Sequence, residues 1–467
     1  MLLNIDSNTA ETGVVMTQEG FSLPWESVLL KNQALKTLRK DGTVVLLDPE
    51  TGQWITADEL DLEVLDLLVR PVKWRHVIEG KAPHEVRALS TRVGRLYRRK
   101  MLEIDGRSFV TPQNMISRRS IVLTHSQGSQ EAFSYSVPRW KTIISRILEG
   151  SSTRKFVIYL KGLQALHRVE DLAALVTHID GESRRRGREV VYAFESEEVV
   201  ADTETLDFLG GCGAEVHWMA GRVSSQKLEG YLDALDTMEN RGITVIPHIT
   251  WYGRECGEAL ELLLRRGRRI LALDLPFTSG VCPAGEDGVK PDSLSGEVLE
   301  VLERLYLVAQ ECRSPFVLHD LSLRIAHMQS QGTLSHPCLA SPCEAGKSVL
   351  SCDEEGRLYG CGSDMARRSG AMRMGSIDSV PDLEEYLQKN ESLMRLRGRS
   401  VHSVPRCRRC MWKRFCCGGC VLRVTGSGGD LMREDPWCRF FQLFYESILW
   451  KMAVDPLFGV YLGGSRL

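Results

Sequence analysis

Cys407-Arg-Arg-Cys410-Met-Trp-Lys-Arg-Phe-Cys416-Cys417-Gly-Gly-Cys420 packs five cysteines into fourteen residues. Working outward, Cys438 follows it. Upstream lie Cys338, Cys343, twelve residues, and Gly356-Arg-Leu-Tyr-Gly-Cys361, so that ten of the chain's 14 cysteines fall between Cys338 and Cys438. Thiolates a few residues apart converge on one small centre because tight turns bring their side chains round to a common point, and soft sulfur ligands favour zinc or iron–sulfur clusters. Cys338, Cys343, Cys361, Cys407, Cys410, Cys416, Cys420 and Cys438 are the candidate ligands, enough for two four-thiolate sites. Spacing alone names no metal, so zinc stays open as the alternative. Disulfides are not expected. The Met1 segment lacks a charged start followed by an apolar stretch, which makes a reducing cytoplasm the expected location. With Gly360, Gly362, Gly418, Gly419, Gly426, Gly428 and Gly429 interrupting it, this region has little continuous apolar surface, and bound metal would help keep it folded.

The array resembles the SPASM domain of peptide-modifying radical SAM proteins: Cys, 9–15 residues, Gly-x4-Cys, a gap, Cys-x2-Cys-x5-Cys-x3-Cys, a gap, Cys. The resemblance implies one [4Fe–4S] cluster on Cys338, Cys343, Cys361 and Cys420 and a second on Cys407, Cys410, Cys416 and Cys438. Cys352 and Cys417 fall outside the pattern and are read as packing thiols.

The rest of the 467 residues suits two or three domains, with 43% apolar and 26% charged residues. A net charge of −2 argues against a nucleic-acid partner. Arg184-Arg185-Arg186 and Arg265-Arg266-Gly-Arg268-Arg269 end helical stretches, where cations suit the helix dipole. The longest apolar stretch, Phe440 to Leu462, is interrupted by Glu446, Lys451 and Asp455, and reads as a packed helix and tail rather than a membrane span.

In the first hundred residues, Gly42–Thr56 reads as two strands joined by an Asp48-Pro-Glu-Thr-Gly52 turn. Helical faces follow at Leu60, Val64, Leu67 and Leu68, then at Val86, Leu89, Val93, Leu96 and Tyr97, before Met101–Gly106 closes the unit like a wing. The arrangement resembles PqqD-type domains, which hold the leader of a ribosomally made precursor peptide by adding it to a sheet edge. A generic winged helix is the alternative from pattern alone.

From about Arg119 the chain alternates apolar strands, near residues 121–123, 156–160, 190–194, 214–218, 243–247, 270–273 and 316–318, with helices such as Val169–Arg186, Ser224–Arg241 and Ser295–Cys312. Such alternation predicts an α/β partial parallel (β/α) barrel of the radical SAM type, with its site at the C-terminal strand ends. The expected boundaries are 1–112 for the PqqD-like winged-helix unit, 113–332 for the barrel, 333–450 for the SPASM domain and 451–467 for a tail.

At the first strand's end the resemblance breaks. Where the radical SAM loop reads Thr-x2-Cys-x3-Cys-x2-Cys-Tyr, this chain reads Thr124-His-Ser-Gln127-Gly-Ser-Gln-Glu131-Ala-Phe-Ser134-Tyr135. An amide, a carboxylate and a hydroxyl replace three soft anionic ligands, so no S-adenosylmethionine cofactor is expected. After the second strand, Lys161-Gly162-Leu163-Gln164-Ala165 stands where Gly-Gly-Glu-Pro is usual. Smaller signals carry little weight. Ala345-Gly-Lys347-Ser348 lacks the leading glycine of a phosphate loop and reads instead as the start of a hairpin at Ser348–Cys352, turning at Asp353–Gly356 into Arg357–Tyr359. Gly426-Ser-Gly-Gly429 is read as a turn. His125, His248 and His319 sit near strand ends, and Glu131 could be an acid or base in the vacated pocket.

Two function classes follow. In one, the protein is a scaffold or electron relay of a ribosomal-peptide modification system, with a precursor peptide and an active radical SAM maturase as partners. In the other it is itself a peptide-modifying enzyme, using non-radical chemistry or a site that a partner completes. A zinc-stabilised binding module is the remaining alternative. Catalytic residues are not assigned.

Overall fold

The computed structural model describes residues 15–17, 20–108, 118–124, 131–161, 169–277, 289–332, 334, 336–363, 370, 372–426 and 430–463. Its N-terminal unit starts with a hairpin of β1 (Val15–Thr17) and β2 (Gly20–Ser22). Two three-stranded antiparallel sheets follow. One orders β3 (Val28–Lys31), β7 (Val72–Lys73) and β8 (Leu102–Ile104) as β7-β3-β8; the other sets β4 (Lys36–Lys40), β5 (Thr43–Asp48) and β6 (Gln53–Ala57) side by side. The expected turn forms. Asp48 is buried and accepts from the Glu50 amide at 2.9 Å and the Thr51 hydroxyl at 2.6 Å, and Gly52 takes φ +75. The period-2 alternation of β5 then divides its side chains between two cores: Leu46 joins the N-terminal cluster, Val45 and Leu47 the main one.

Helices Glu59–Leu67, Trp74–Ile78 and Pro83–Arg98 complete this unit. The face expected on the first of them is corrected: Val64, Leu65 and Leu68 are buried, while Leu60 and Leu67 are 52% and 58% exposed. Asp61 sets that rotation. It closes a capping box with Asp58, is fully buried, and pairs with Arg92 and Arg95 of the third helix, which turns its own face inward.

All seven alternating strands are present: β9 (Arg118–Thr124), β10 (Lys155–Lys161), β11 (Glu189–Ser196), β12 (Glu215–Gly221), β13 (Thr244–Thr250), β14 (Ile270–Asp274) and β15 (Val317–His319). Each is parallel to the next. Phe156, Ile158, Leu160, Tyr192 and Phe194 face the helices that cover one side. The helix expected over Ser224–Arg241 is two, Ser225–Glu229 and Leu232–Asn240, separated at Gly230. The sheet curls strongly. Tyr159 on β10 meets His217 on β12 with ring centroids 4.9 Å apart, and His217 meets His319 on β15 at 5.9 Å. In a flat sheet, at about 4.8 Å per strand, those rings would stand roughly 10 and 14 Å apart.

On the other side of β9 the sheet continues. The β16 strand (Val349–Asp353) runs parallel to β9, and β17 (Arg357–Tyr359) and β18 (Arg373–Ser376) follow antiparallel, making ten strands in the order β15-β14-β13-β12-β11-β10-β9-β16-β17-β18. The expected hairpin is thus real, but it belongs to the main sheet. At the C-terminus, helix Cys438–Val454 leads into a second helix, Pro456–Leu462, where a packed helix and tail were expected. This last helix covers the edge of β15: Phe316 donates to the Tyr461 carbonyl at 3.0 Å and Val317 bridges to Gly463. Among the described residues no helix is long and apolar enough to cross a membrane.

Candidate cysteine-rich site

The first expected quartet is assembled by turns. Cys338 sits in the short turn Pro337–Leu339, whose start is capped by His336, with the Cys338 amide donating to its ring nitrogen at 3.2 Å. Cys361 follows β17 after Gly360. The Gly346 amide, at φ +70, donates to the carbonyls of both Val349 and Gly360, which draws the Cys343 turn against the end of that hairpin. Cys420 opens the helix Val421–Gly426. These four thiols are close enough to act on one another: burial and then Cys361, Cys420 and Cys343 push the Cys338 thiol up, while burial, Cys420 and Cys343 push Cys361 up to about 12. Cys338 keeps exposed surface, whereas Cys343, Cys361 and Cys420 are partly buried.

The second quartet lines one pocket. Cys407, Cys410, Cys416 and Cys438 all border it, together with Trp412, Lys413 and Phe441. Cys410 turns back on Cys407 by donating its amide to the Cys407 carbonyl at 3.0 Å, and the Trp412 amide donates to the Cys410 sulfur at 3.4 Å. Burial with Cys410 and Cys407 nearby raises the Cys438 thiol to about 11. After Cys416 the chain reverses through three consecutive left-handed residues, Cys417, Gly418 and Gly419, at φ 54, 86 and 74. That reversal separates Cys416 from Cys420, so the two join different quartets. A Cβ on Gly419 would lie 2.3 Å from Asp435 Oδ2, which leaves room only for glycine.

Asp435, missed in the sequence, ties the two quartets together. Its carboxylate accepts from the Cys420 amide at 2.7 Å, the Trp437 amide at 2.9 Å and Arg423 at 2.6 Å, and its carbonyl accepts from the Cys438 amide at 2.8 Å. Burial raises this carboxyl, but Arg423 and the two amides outweigh it and the net shift is downward. Arg324 lies beside Cys416 and Cys417, pairs with Asp320 at 3.4 Å, and donates to the Tyr445 hydroxyl at 3.0 Å. Two buried guanidinium groups therefore stand against sites that would be anionic as thiolates.

Cys352 and Cys417 keep out of both groups: their sulfurs donate to the carbonyls of Asp353 at 3.5 Å and Leu339 at 3.1 Å. Ser348 and Lys347 belong to a turn closed on Glu344, just ahead of the expected hairpin. The first quartet also borders the barrel mouth, since Lys161 at the end of β10 lies beside Cys361, and Asp320 beside Cys338. The expected substitutions Gln127, Gly162, Leu163, Gln164 and Ala165, and His125, lie outside the described residues; Glu131 and Ser134 fall in the backbone of helix Glu131–Glu149. From the N-terminal unit, Glu50 pairs with the buried Lys413 at 2.6 Å and Trp54 donates to the Met328 carbonyl at 3.0 Å, so the β5–β6 turn rests on the second quartet's segment.

No group of three or more His, Cys, Asp or Glu among the described residues is set to hold a single metal ion. On the concave face of the parallel sheet a second polar group is present that sequence reading caught only in part, at His248 and His319. Glu215, His217 and Asp274 complete it, along with Tyr159, Lys161 and Glu195. The signal was available: in Glu215-Val-His217-Trp-Met219 the polar residues alternate with buried apolar ones.

No family model matches the chain. An uncharacterized protein of Archaeoglobus fulgidus is 21% identical over 241 residues, 51% of this chain and 53% of that protein, so the match spans about half the relative's length. Among solved structures, native anSMEcpe with bound AdoMet superposes with a TM-score of 0.58 at 10% identity, covering 73% of this chain and all of that one. The same protein with AdoMet and the Kp18Cys peptide gives 0.57 at 11% identity, over 73% of this chain and 98% of that one. What is shared is the fold, a mixed α/β architecture with a large parallel-rich sheet of the radical SAM-like kind.

Proposed function

We propose that this chain is an iron–sulfur protein of a ribosomal-peptide modification system, which holds a precursor peptide and assists an active radical SAM partner as scaffold or electron relay. The observation that carries the reading is the convergence of two cysteine quartets beside a parallel sheet whose first loop has no cysteine in sequence. Cys338, Cys343, Cys361 and Cys420 would hold one [4Fe–4S] cluster, and Cys407, Cys410, Cys416 and Cys438 the other; such clusters store and pass single electrons. A lone zinc draws its sulfurs to about 3.8 Å from one another, given Zn–S near 2.3 Å. Spacing names no metal, so zinc at the same thiols stays the alternative. The contact of Glu50 with Lys413 supports a link between the N-terminal unit and the second quartet. Within that unit, β5 is flanked on both sides, so an added peptide strand would pair with β4, whose residues Lys36–Lys40 are mostly exposed.

Anaerobic reconstitution followed by metal analysis tests the clusters: about eight irons per chain are expected, and stoichiometric zinc without iron refutes the assignment. The scaffold role is tested with a radical SAM enzyme and short peptide encoded beside this chain. Modification should need all three components; full activity of the enzyme and peptide without this chain overturns it. The second reading, an enzyme in its own right, is favoured by one observation, the polar group on the concave face of the sheet.

A further inference from the structure

Four side chains on the concave face form an unbroken row of hydrogen bonds. Glu215 Oε1 lies 2.7 Å from His217 Nε2, His217 Nδ1 lies 2.8 Å from His248 Nε2, and His248 Nδ1 lies 3.3 Å from both carboxylate oxygens of Asp274. The register shows how the row climbs. Glu215 pairs with Thr244, His248 with Ala272, and Thr250 with Asp274, so the row rises from the first residue of β12 to the last residue of β14. Four residues separate Thr244 from His248 and two separate Ala272 from Asp274; six steps at ~3.3 Å give about 20 Å along the strands. Both ends are reachable, with Glu215 and Asp274 side chains 38% and 25% exposed. The middle is not, with His217 and His248 at 9% and 13%.

Counting protons decides what such a row can be. Ionised carboxylates only accept, and each of the three hydrogen bonds needs one proton. Those three protons must reside on four ring nitrogens, whichever side of the central bond its proton occupies. Two neutral imidazoles carry two protons between them. With both carboxylates ionised, the fully bonded row therefore holds one more, shared between His217 and His248 and flanked by Glu215 and Asp274.

We infer that this row is an acid–base site, in which the His217–His248 pair stores one proton and delivers it through Asp274 to a lone-pair-bearing atom of a ligand at the barrel mouth. In delivery the His248 Nδ1–H bond breaks, Asp274 relays the proton, and the new bond forms on the ligand atom. The pair is left as two neutral rings, still bonded through the central proton and through His217 Nε2–H to Glu215. Taking a proton back from the ligand at another atom restores the stored charge, so a proton can be moved within a ligand with no external oxidant or reductant. Neighbouring groups suit a ligand of mixed charge: Lys161 pairs with Glu195 at 3.4 Å, Tyr159 donates to Glu195 at 3.4 Å, and His319 stands edge-on to His217. The site depends on neither cysteine quartet, and loss of the clusters would leave the inference standing.

Histidine-selective 15N labelling of the full chain, read by long-range proton–nitrogen correlation at pH 7, tests it. His217 Nε2 and His248 Nδ1 should appear as full N–H groups, with one proton averaged over the two facing nitrogens; His217→Gln and His248→Gln assign the signals. Two protons in total on the two rings, or two independent imidazoles, overturns the proposal. Asp274→Asn still accepts a hydrogen bond but cannot take up the proton, so exchange of the His248 Nδ1 proton with solvent should slow at least tenfold. Asp274→Glu should restore it. Exchange unchanged in Asp274→Asn would mean that Asp274 merely orients the ring, and would refute delivery through it.

Discussion

Replacing Asp435 by Asn tests whether one buried carboxylate joins the two cysteine quartets. The side chain is 2% exposed and that of Arg423 is 11% exposed, so the pair is poorly screened by water. Asn keeps the shape but presents an amide NH2 to donors that now meet a carboxylate: two guanidinium nitrogens at 3.0 and 2.6 Å and the amides of Cys420 and Trp437. Breaking one partner of a buried ion pair costs about 3–5 kcal/mol, because the other charge is left uncompensated. Guanidinium unfolding of anaerobically reconstituted protein, followed by tryptophan fluorescence, should show that loss, and iron should fall at both quartets. Arg423→Met alone should also destabilise, whereas the double variant should cost less than the two losses added, by roughly 2 kcal/mol or more. Additive losses, or Asp435→Asn protein with unchanged stability and full iron, would refute the bridging role. Because the folded carboxyl is held below its ordinary value, its contribution is complete above the unfolded pKa of about 3.9 and fades as pH falls through the lower folded value. The gap between wild type and Asp435→Asn should therefore be flat from pH 5 to 8.

Cys410→Ser should remove one cluster's electron paramagnetic resonance signal and leave the other, and Cys361→Ser should do the converse; loss of both signals in either variant would contradict two separate quartets. With reductant and S-adenosylmethionine, the purified chain should form no 5′-deoxyadenosine above a no-protein control, because Gln127, Glu131 and Ser134 replace the loop cysteines; sustained formation would overturn that expectation. An isolated fragment of residues 1–112 should bind hydrophobic dyes, since it bares Val45 and Leu47, and Val45→Thr with Leu47→Lys should quench the binding. If a precursor peptide adds to β4, its amide shift changes should centre on Lys36–Lys40, and a proline at Thr37, whose N–H points away from β5, should weaken binding at least tenfold; shifts confined to β5 would argue against edge addition.

Local pattern carried far along this chain. Alternating apolar runs located every strand from β9 to β15, and the Asp48–Gly52 turn formed as its residues dictate. The failures are of another kind. The helical face through Leu60 and Leu67 was misjudged because the Asp61 ion pairs with Arg92 and Arg95 outweigh apolar periodicity there. Pairing of β16 with β9 joins Ser120 to Val349, across more than two hundred residues, and nothing in either stretch announces its neighbour. Cysteine spacing singled out eight candidate thiols, whereas Asp435 belongs to no spacing pattern and stands out only through its donors. Glu215 and His217 were visible as alternation, but a histidine one strand away could be matched to them only once the register was known.

The position of β9 within the ten-stranded sheet bears on what can be lost from such a protein. A strand with β10 on one flank and β16 on the other is a splice: remove it, and six parallel strands part from the hairpin that leads into Cys361. Deletion of the parallel strands from β9 to β15 would therefore unseat the cysteine-rich half. Truncations meant to isolate the cysteine-rich half would fare best if they carried a strand equivalent to Arg118–Thr124 along with it.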